Sequence, residues 1–494
     1  NNIDSVEVVR IINGMADTVL FNTTILIGEA DTVFLNAYNF AAGTSYDVKL
    51  YTQLPNSVAD TSNSNDTLSI FGMKTGLNGN YTIDTSQAIS NSNYHSFSAA
   101  VADLNNYGAC GAVVFDVAPG VYNEAVVFRE IKGASPTNTI TFDGNDSSSV
   151  HISDQGSAIA TVVLDGTDYL TLKNMSIRNA GTSNAAVILA PGADHNEISN
   201  SELWVASSTS STSITLAFSG SAAATNTSGA TSSYNLIKNN RIINGYYGMR
   251  MYSITSEPAT YNRIVGNAFD SSYYYGMYTY YTDSLEVIGN TVDAVSAGNS
   301  NADGAYIYYS VNTRFNGNKI HANDYGVYLY TYNNPSVSVM ERRYEVFNNM
   351  IISESDYGLY TYYMDSTDIF HNTILVKGSS SAARLYGTSS KPTYVDLRNN
   401  ILIASSDVAL NTNTPAASMF YGFDNNIYYS TGSNLVTIDG TSHSNLTALQ
   451  TAYPAYNANS LEGLPLFLGA NDLHVVGPLP NNKGDNSVGV AFDI

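Results

Sequence analysis

Gly248-Met-Arg-Met-Tyr252, Gly276-Met-Tyr-Thr-Tyr280, Gly304-Ala-Tyr-Ile-Tyr308, Gly326-Val-Tyr-Leu-Tyr330, Gly358-Leu-Tyr-Thr-Tyr362 and Ala382-Ala-Arg-Leu-Tyr386 write one short pattern six times between residues 247 and 386. Read as strands, these segments sort themselves, because successive side chains in a strand point to opposite faces. Met249, Met277, Ala305, Val327, Leu359 and Ala383 then share a core face with Met251, Thr279, Ile307, Leu329, Thr361 and Leu385. The opposite face carries Tyr252, Tyr280, Tyr308, Tyr330, Tyr362 and Tyr386 in one column. A second column beside it holds Arg250, Tyr278, Tyr306, Tyr328, Tyr360 and Arg384. A helical period would scatter these phenols round a cylinder; a strand period gathers them on one wall.

Between the strands lies a second repeated phrase: Ile237-Lys-Asn-Asn240, Ile264-Val-Gly-Asn267, Val287-Ile-Gly-Asn290, Phe315-Asn-Gly-Asn318, Val346-Phe-Asn-Asn349, Ile369-Phe-His-Asn372, Leu397-Arg-Asn-Asn400 and Phe423-Asp-Asn-Asn426. Apart from His371, its third position is Asn or Gly, the residues that tolerate the left-handed backbone of a sharp turn. The fourth is always Asn. Stacked coil on coil, these eight asparagines are expected to hydrogen-bond through their amides into a ladder. Their spacings of 27, 23, 28, 31, 23, 28 and 26 residues are those of parallel β-helix coils. Weaker copies at Phe142-Asp-Gly-Asn145, Leu172-Lys-Asn-Met175 and Ile198-Ser-Asn-Ser201 extend the stack upstream, giving eleven rungs.

Composition agrees with an all-β chain. Among 494 residues there are 38 Tyr and 37 Gly, only 13% are charged, and the net charge is -22. So acidic a surface is a poor partner for nucleic acid or anionic membrane, since phosphate binding needs cations. It leaves room for divalent cations such as calcium, without a ligand pattern to support one, and no cofactor is implied. Cys110 is the single cysteine, which excludes an internal disulfide. No run of about 18 apolar residues is present to cross a membrane. With Asn-Asn rather than Met at its start and no signal peptide, the chain reads as an excerpt or processed piece of a longer polypeptide.

Residues 1–74 have another texture. Alternating segments at Val6 to Ile12, Thr18 to Ile27, Val33 to Phe40, Tyr46 to Tyr51 and Thr67 to Phe71, broken by closely spaced turn residues, predict a small immunoglobulin-like β-sandwich without a disulfide. The β-helix is assigned residues 75–494, with an N-terminal cap over about 75–110 and a C-terminal cap over about 430–494. Within the first cap, Ser96 to Asn106 predicts a helix: Phe97, Ala100, Val101 and Leu104 form one stripe and Ser96 is placed to cap it. Such a helix closes the open end of an apolar solenoid core. The Ser/Thr/Ala/Gly-rich run from Ser207 to Ser233 reads in part as a loop thrown out of the stack, and Asn334 to Arg343 as a second excursion.

On these phrases the chain resembles right-handed parallel β-helix proteins of the pectin-lyase-like class. Gly79-Asn-Tyr-Thr-Ile83, the Ser96 to Leu104 helix, Gly111-Ala-Val-Val-Phe115, Gly120-Val-Tyr-Asn-Glu124 and Asn138-Thr-Ile-Thr-Phe142 are similar to the entry into β-helix modules of large surface adhesins exported by the type IX route in Bacteroidota. Asp472-Leu-His-Val475, Gly484 and Val488 to Asp493 resemble the closing segment of those modules. The resemblance implies a non-enzymatic, extracellular or cell-surface protein whose partners are a cell-surface glycan or protein, or copies of itself in a filament.

The competing class is a polysaccharide lyase or hydrolase. Lyase chemistry needs a cationic base beside clustered carboxylates, whereas Lys173, Arg178, Lys238, Arg241, Arg250, Arg263, Arg314 and Lys319 sit singly in the sequence. A glycosidase needs two carboxyls about 5–10 Å apart. Asp365 and Asp368 are neighbours, but an acidic turn explains them, and Asp283 shares Asp365's place in its coil with Val311 and Asn333 intervening. The histidines His95, His151, His195, His321, His371, His443 and His474 show no metal-ligand spacing. Arg250 and Arg384 are expected as solvated caps on the tyrosine column. The tyrosine wall therefore carries the expectation of a binding surface, set against the plainer reading that aromatic residues favour strands and stabilise them by cross-strand pairing.

Overall fold

The computed structural model describes residues 2–61, 66–331, 343–363, 366–387, 394–479 and 484–488. From residue 77 onward the chain is a right-handed parallel β-helix. Each coil contributes one strand to each of three long sheets of 14, 13 and 13 strands, and neighbours within a sheet are successive coils. The phrase sheet carries the Asn-ending segments, such as Glu286–Ile288 and Arg314–Asn316. After a sharp turn comes the back sheet, with Thr291–Asp293 and Lys319–Ala322, and then the tyrosine sheet, with Tyr275–Tyr280, Asp303–Ser310 and Val327–Thr331.

All eight third-position residues of the phrase adopt the left-handed conformation: Asn239, Gly266, Gly289, Gly317, Asn348, His371, Asn399 and Asn425, with φ between 53° and 66°. His371 thus does the turn's work at the cost an L-residue bears there. The eight asparagines that follow are buried and form the expected ladder. Each Oδ1 accepts the backbone N–H of the preceding asparagine at 2.8–3.1 Å and its Nδ2 at 2.8–3.0 Å, from Asn240 on Asn267 through to Asn400 on Asn426. Ser201 extends it upstream by donating its N–H to Asn240 Oδ1 at 3.0 Å, and Ser460 Oγ closes it below Asn426. Asn145 does not belong. It takes the left-handed position itself (φ 60°), so its side chain turns outward to Asp116 Oδ1 at 2.5 Å.

The core is a continuous apolar column running from Leu77 to Leu449. Helix α1 (Phe97–Tyr107) closes its upper end with Phe97, Ala100, Val101 and Leu104 buried; Ser96 Oγ accepts from Ala99 N–H at 3.1 Å, and Glu124 accepts from the N–H groups of Phe97 and Ser98. The lower end is covered by helix α2 (Leu446–Ala452), capped by Asn445 and anchored by buried Leu449. In the tyrosine sheet, glycine opens five successive strands because coils approach closely there. A Cβ on Gly304 would lie 2.5 Å from Gly326 O and in collision with Ile320 Cγ2. Replacing Gly304 by Ala is therefore expected to cost about 3 kcal/mol, the upper part of the overpacking range, since one of the atoms in the way is backbone. Denaturant unfolding measures it, and a loss under about 1 kcal/mol would show that the coils can separate at this point.

Two expectations need correction. Residues 1–74 form one four-stranded antiparallel sheet, in the order Met15–Phe21, Val6–Ile12, Ser45–Gln53, Thr67–Lys74, and the described residues supply no second layer to make an immunoglobulin-like sandwich. Val33 to Phe40 is not a strand; Tyr38 and Phe40 instead pack edge-on against the buried Tyr46. The Ser207 to Ser233 run is not thrown out either. Ile214–Phe218 is a fully buried strand of the tyrosine sheet. Much of the remainder folds down on that sheet, with Ser219, Thr225 and Ser232 buried and Ser219 Oγ donating to Ala224 O at 2.6 Å. Small residues permit this close approach; Gly220 and Gly229 lie back to back. Most of the Asn334 to Arg343 excursion, Asp365 and residues 489–493 of the closing segment lie outside the described residues.

Candidate functional site

Parallel pairing in register puts the tyrosines over one another: Tyr278 on Tyr306 on Tyr328 on Tyr360, and Tyr252 on Tyr280 on Tyr308 on Tyr330 on Tyr362 on Tyr386. In the outer column the rings of Tyr280, Tyr308, Tyr330, Tyr362 and Tyr386 follow one another at centroid separations of 5.3, 4.6, 4.9 and 5.5 Å, within 22° of parallel. In the inner column Tyr278, Tyr306 and Tyr328 stack at 5.5 and 4.3 Å. The stacking has a consequence for recognition. Ring faces look along the solenoid axis at each other, so the wall is half-buried and what it shows outward is ring edges and hydroxyls. The stacking breaks where neighbouring rings stand nearly perpendicular, at Tyr252 against Tyr280 (73°) and Tyr328 against Tyr360 (88°).

The two arginines end the columns as expected, but they are not solvated caps. The Arg250 guanidinium lies 3.9 Å from the Tyr252 ring centroid and 4.7 Å from that of Tyr247, and Arg384 lies 4.9–5.4 Å from Tyr357, Tyr360 and Tyr386. Each cation rests on ring faces that no further tyrosine covers. Upstream of Arg250 the outer face changes character: Val163, Ile188 and Ala217 are buried beneath the Ser/Thr/Ala segment, with Ala222 packed on them. The wall begins where that cover ends.

Burial pushes the phenols of Tyr280 and Tyr306 up to about 12, and those of Tyr278, Tyr308, Tyr328, Tyr330 and Tyr360 upward as well. Tyr362 rises to about 12, chiefly because it hydrogen-bonds Tyr363. These eight phenols are thus neutral hydroxyls at any physiological pH. One margin is acidic. Asp303 stands in the column of Tyr247, Tyr275, Tyr325 and Tyr357, 3% exposed, its Oδ1 accepting the Tyr325 N–H at 3.0 Å. Burial, with the nearby charges of Asp324 and Asp356, raises its carboxyl to about 8, so it is a protonated acid at neutral pH. Asp324 is also raised by burial and by Asp356. Tyr325 lies against Asp356, and Ser380 Oγ donates to Asp356 Oδ1 at 2.5 Å.

Several features were not expected from the sequence. Basic residues that sit singly along the chain are paired in space: Arg263, Glu286, Arg314 and Glu345 alternate on the phrase sheet at 2.6–3.1 Å, and Arg178, Glu202, Arg241 and Asp270 alternate on the back sheet. A second amide ladder, Asn196 to Asn235 to Asn262, runs just before the phrase strands, and a stack of Tyr169, His195, Tyr234 and Tyr261 accompanies it at 4.7–5.0 Å. Both were written in the sequence around four of the phrase strands, as Tyr169 before Leu170 and as His195-Asn196, Tyr234-Asn235 and Tyr261-Asn262. Asp283 is bonded by Asn312 Nδ2 at 2.9 Å and lies beside Val311, as the spacing implied. Among the described residues no group of His, Cys, Asp or Glu is arranged to hold a metal ion, and no helix is long and apolar enough to cross a membrane.

Comparison with known proteins bears on the solenoid. Residues 160–339 match the family described as the right handed beta helix region. No curated protein matches the chain. Similar solved structures include the Dettilon tailspike protein, 13% identical, with 69% of this chain and 64% of that one covered and a TM-score of 0.40. A double mutant of the periplasmic alginate epimerase AlgG is 11% identical over 71% of this chain and 75% of its own, with a TM-score of 0.38. A mannuronic acid specific polysaccharide family 6 lyase from human gut microbiota is 11% identical over 73% and 87%, with a TM-score of 0.36. The chain spans less than two thirds of the tailspike's length, and the activities in these names belong to those proteins.

Proposed function

We propose that this chain is a non-enzymatic, extracellular or cell-surface module of the adhesin or surface-filament kind, in which a stiff β-helix holds the tyrosine wall out as a contact surface for a neutral glycan or a protein, including a second copy of itself. One observation carries the reading: ten tyrosines face outward on successive rungs whose register the core and the buried Asn ladder already fix. The wall presents uncharged hydroxyls and ring edges, with both arginines engaged on rings. An uncharged polar surface suits hydrogen bonding to sugar hydroxyls or to a partner's backbone better than capture of anions. Tyr252, Tyr278, Tyr280, Tyr306, Tyr308, Tyr328, Tyr330, Tyr360, Tyr362 and Tyr386 are the contact residues of this reading.

Glycan-array binding and sedimentation of the intact chain separate sugar binding from self-association. Replacing Tyr306, Tyr328 and Tyr360 together by Ser is expected to weaken whichever is real by about tenfold or more, because aromatic anchors at the centre of a contact carry most of its energy. Unchanged binding in a variant that still melts cooperatively would reduce the wall to a stabilising stack. A second reading, a polysaccharide-degrading enzyme, draws on Asp303 and Asp356. A buried carboxyl whose pKa is raised, with a second carboxyl close enough to act on it, is the kind of pair that acid and base roles in hydrolysis draw on. New reducing ends released from acidic or neutral polysaccharides, and lost on Asp356→Asn, would favour it over the adhesin.

A further inference from the structure

We propose that the vicinal pairs Tyr308-Tyr309 and Tyr362-Tyr363 are sites of oxidative phenol coupling, at which a peroxidase-type oxidant joins the two rings of one pair, ortho carbon to ortho carbon, into an intrachain dityrosine staple. Consecutive residues of a strand point to opposite faces, so two tyrosines in a row ordinarily hold their rings apart. In these pairs the second residue is in the left-handed conformation, φ 51° at Tyr309 and 58° at Tyr363, and the bend returns its ring to the side of the first. Both pairs have ring centroids 4.1 Å apart, with planes crossing at 59° and 53°. Their hydroxyl oxygens are 3.4 and 3.3 Å apart, Tyr308 donating to Tyr309 and Tyr362 to Tyr363. A biaryl bond holds two phenols in nearly this relation: close, twisted out of a common plane, with the hydroxyls ortho to the bond side by side. A left-handed backbone at a bulky residue is costly, and here it recurs at the same rim of the wall.

The third pair of this type, Tyr280-Tyr281, has the same backbone (φ 55° at Tyr281) but stands wider and nearer perpendicular, at 4.6 Å and 80°. It provides an internal comparison. Around the two tight pairs the wall supplies phenol neighbours on both sides, Tyr280 and Tyr330 for Tyr308, Tyr330 and Tyr386 for Tyr362. The single Trp and single Cys, which would compete for an oxidant, stand elsewhere: Trp204 in the back sheet, Cys110 in the phrase sheet.

The chemistry balances simply. Each phenol gives an electron to the oxidant and its hydroxyl proton to water. The two phenoxyl radicals pair at ortho carbons, and the two ring hydrogens displaced there move to the oxygens, restoring both phenols. Overall the pair loses two hydrogens, and one hydrogen peroxide becomes two waters. The new bond spans the bend that ends the tyrosine strand and ties that corner of the coil shut.

The test is to treat the folded chain with a haem peroxidase and limiting hydrogen peroxide, then digest it and measure peptide masses alongside dityrosine fluorescence. The expected result is a loss of two hydrogens in the peptides that carry Tyr308-Tyr309 and Tyr362-Tyr363, in protein that stays monomeric, with Tyr280-Tyr281 lagging. Tyr309→Phe and Tyr363→Phe each remove their own site's signal and the double variant removes both; phenylalanine keeps the ring, and an unchanged melting curve shows the fold intact. Coupling that follows exposure would overturn the proposal. It would appear as covalent dimers joined through Tyr421, 79% exposed, or Tyr394, 45% exposed, while the vicinal pairs keep their hydrogens. A double variant as fluorescent as the parent would overturn it equally.

Discussion

Replacing Asn318 by Leu lowers the unfolding free energy by about 5 kcal/mol, although leucine fills nearly the same space. Asn318 is fully buried at the middle of the ladder. Its Oδ1 accepts the backbone N–H of Asn290 at 2.9 Å and Asn290 Nδ2 at 3.0 Å, while its own Nδ2 donates to Val287 O at 2.9 Å and Asn349 Oδ1 at 3.0 Å. Leucine silences all four contacts and leaves the Asn290 N–H with no partner in a dry interior, where each such group costs about 1–3 kcal/mol. In a solenoid every coil leans on its neighbours, so the defect weakens the coils on both sides. Denaturant melts of the variant and parent give the difference directly. A loss below about 1 kcal/mol would mean that the amides only decorate a register set by the apolar column.

The second large effect is a gain. Asp303→Asn is expected to stabilise the protein by about 6 kcal/mol at pH 9 and to change it little near pH 4. Burial, and then the neighbouring Asp324 and Asp356, lift the folded-state carboxyl from 3.8 to about 8, while the unfolded chain keeps the ordinary value. A group whose folded pKa is raised contributes stability that is whole below about pH 4 and is lost as pH climbs through about 8. Asparagine copies the neutral carboxyl in shape and cannot ionise, so it escapes that loss. The variant-minus-parent difference should therefore grow by about 1.4 kcal/mol per pH unit between those limits. Comparing the two proteins at each pH cancels the other acids, which titrate in both. A difference that stays flat from pH 4 to pH 9 would place Asp303 in contact with water and remove it from the acid role that the hydrolytic reading needs.

Some of the molecule was legible because its signal is a repeat. The interval between asparagines states the coil length, and the alternation around each Gly-X-Tyr-X-Tyr segment states which side chains face the core. Both follow from the period of two and from stacking like on like, so Met249, Leu329 and Asn290 lie where their spacing puts them. The helix before the first coil was legible for the complementary reason, a stripe at Phe97, Ala100, Val101 and Leu104 with a serine before it. Residues 1–74 misled because short alternating segments look alike whether one sheet or two results. Nothing in Val33 to Phe40 says that its aromatic rings, rather than its backbone, make the contact with Tyr46.

Sequence by itself determined the architecture of the solenoid, the direction of the tyrosines and the left-handed corner at every Asn phrase, because each depends on the identity of a residue and its distance along the chain to its own repeat. Tertiary structure alone decided what the wall offers. Whether stacked rings show faces or edges depends on side-chain torsions that the register leaves open, and whether Asp303 holds its proton depends on how much water the surrounding tyrosines exclude. The same holds for Arg263, Glu286, Arg314 and Glu345, which are strangers in sequence. Only the coiling of the chain brings opposite charges within 3.1 Å, since each pairing is made across a turn of the solenoid.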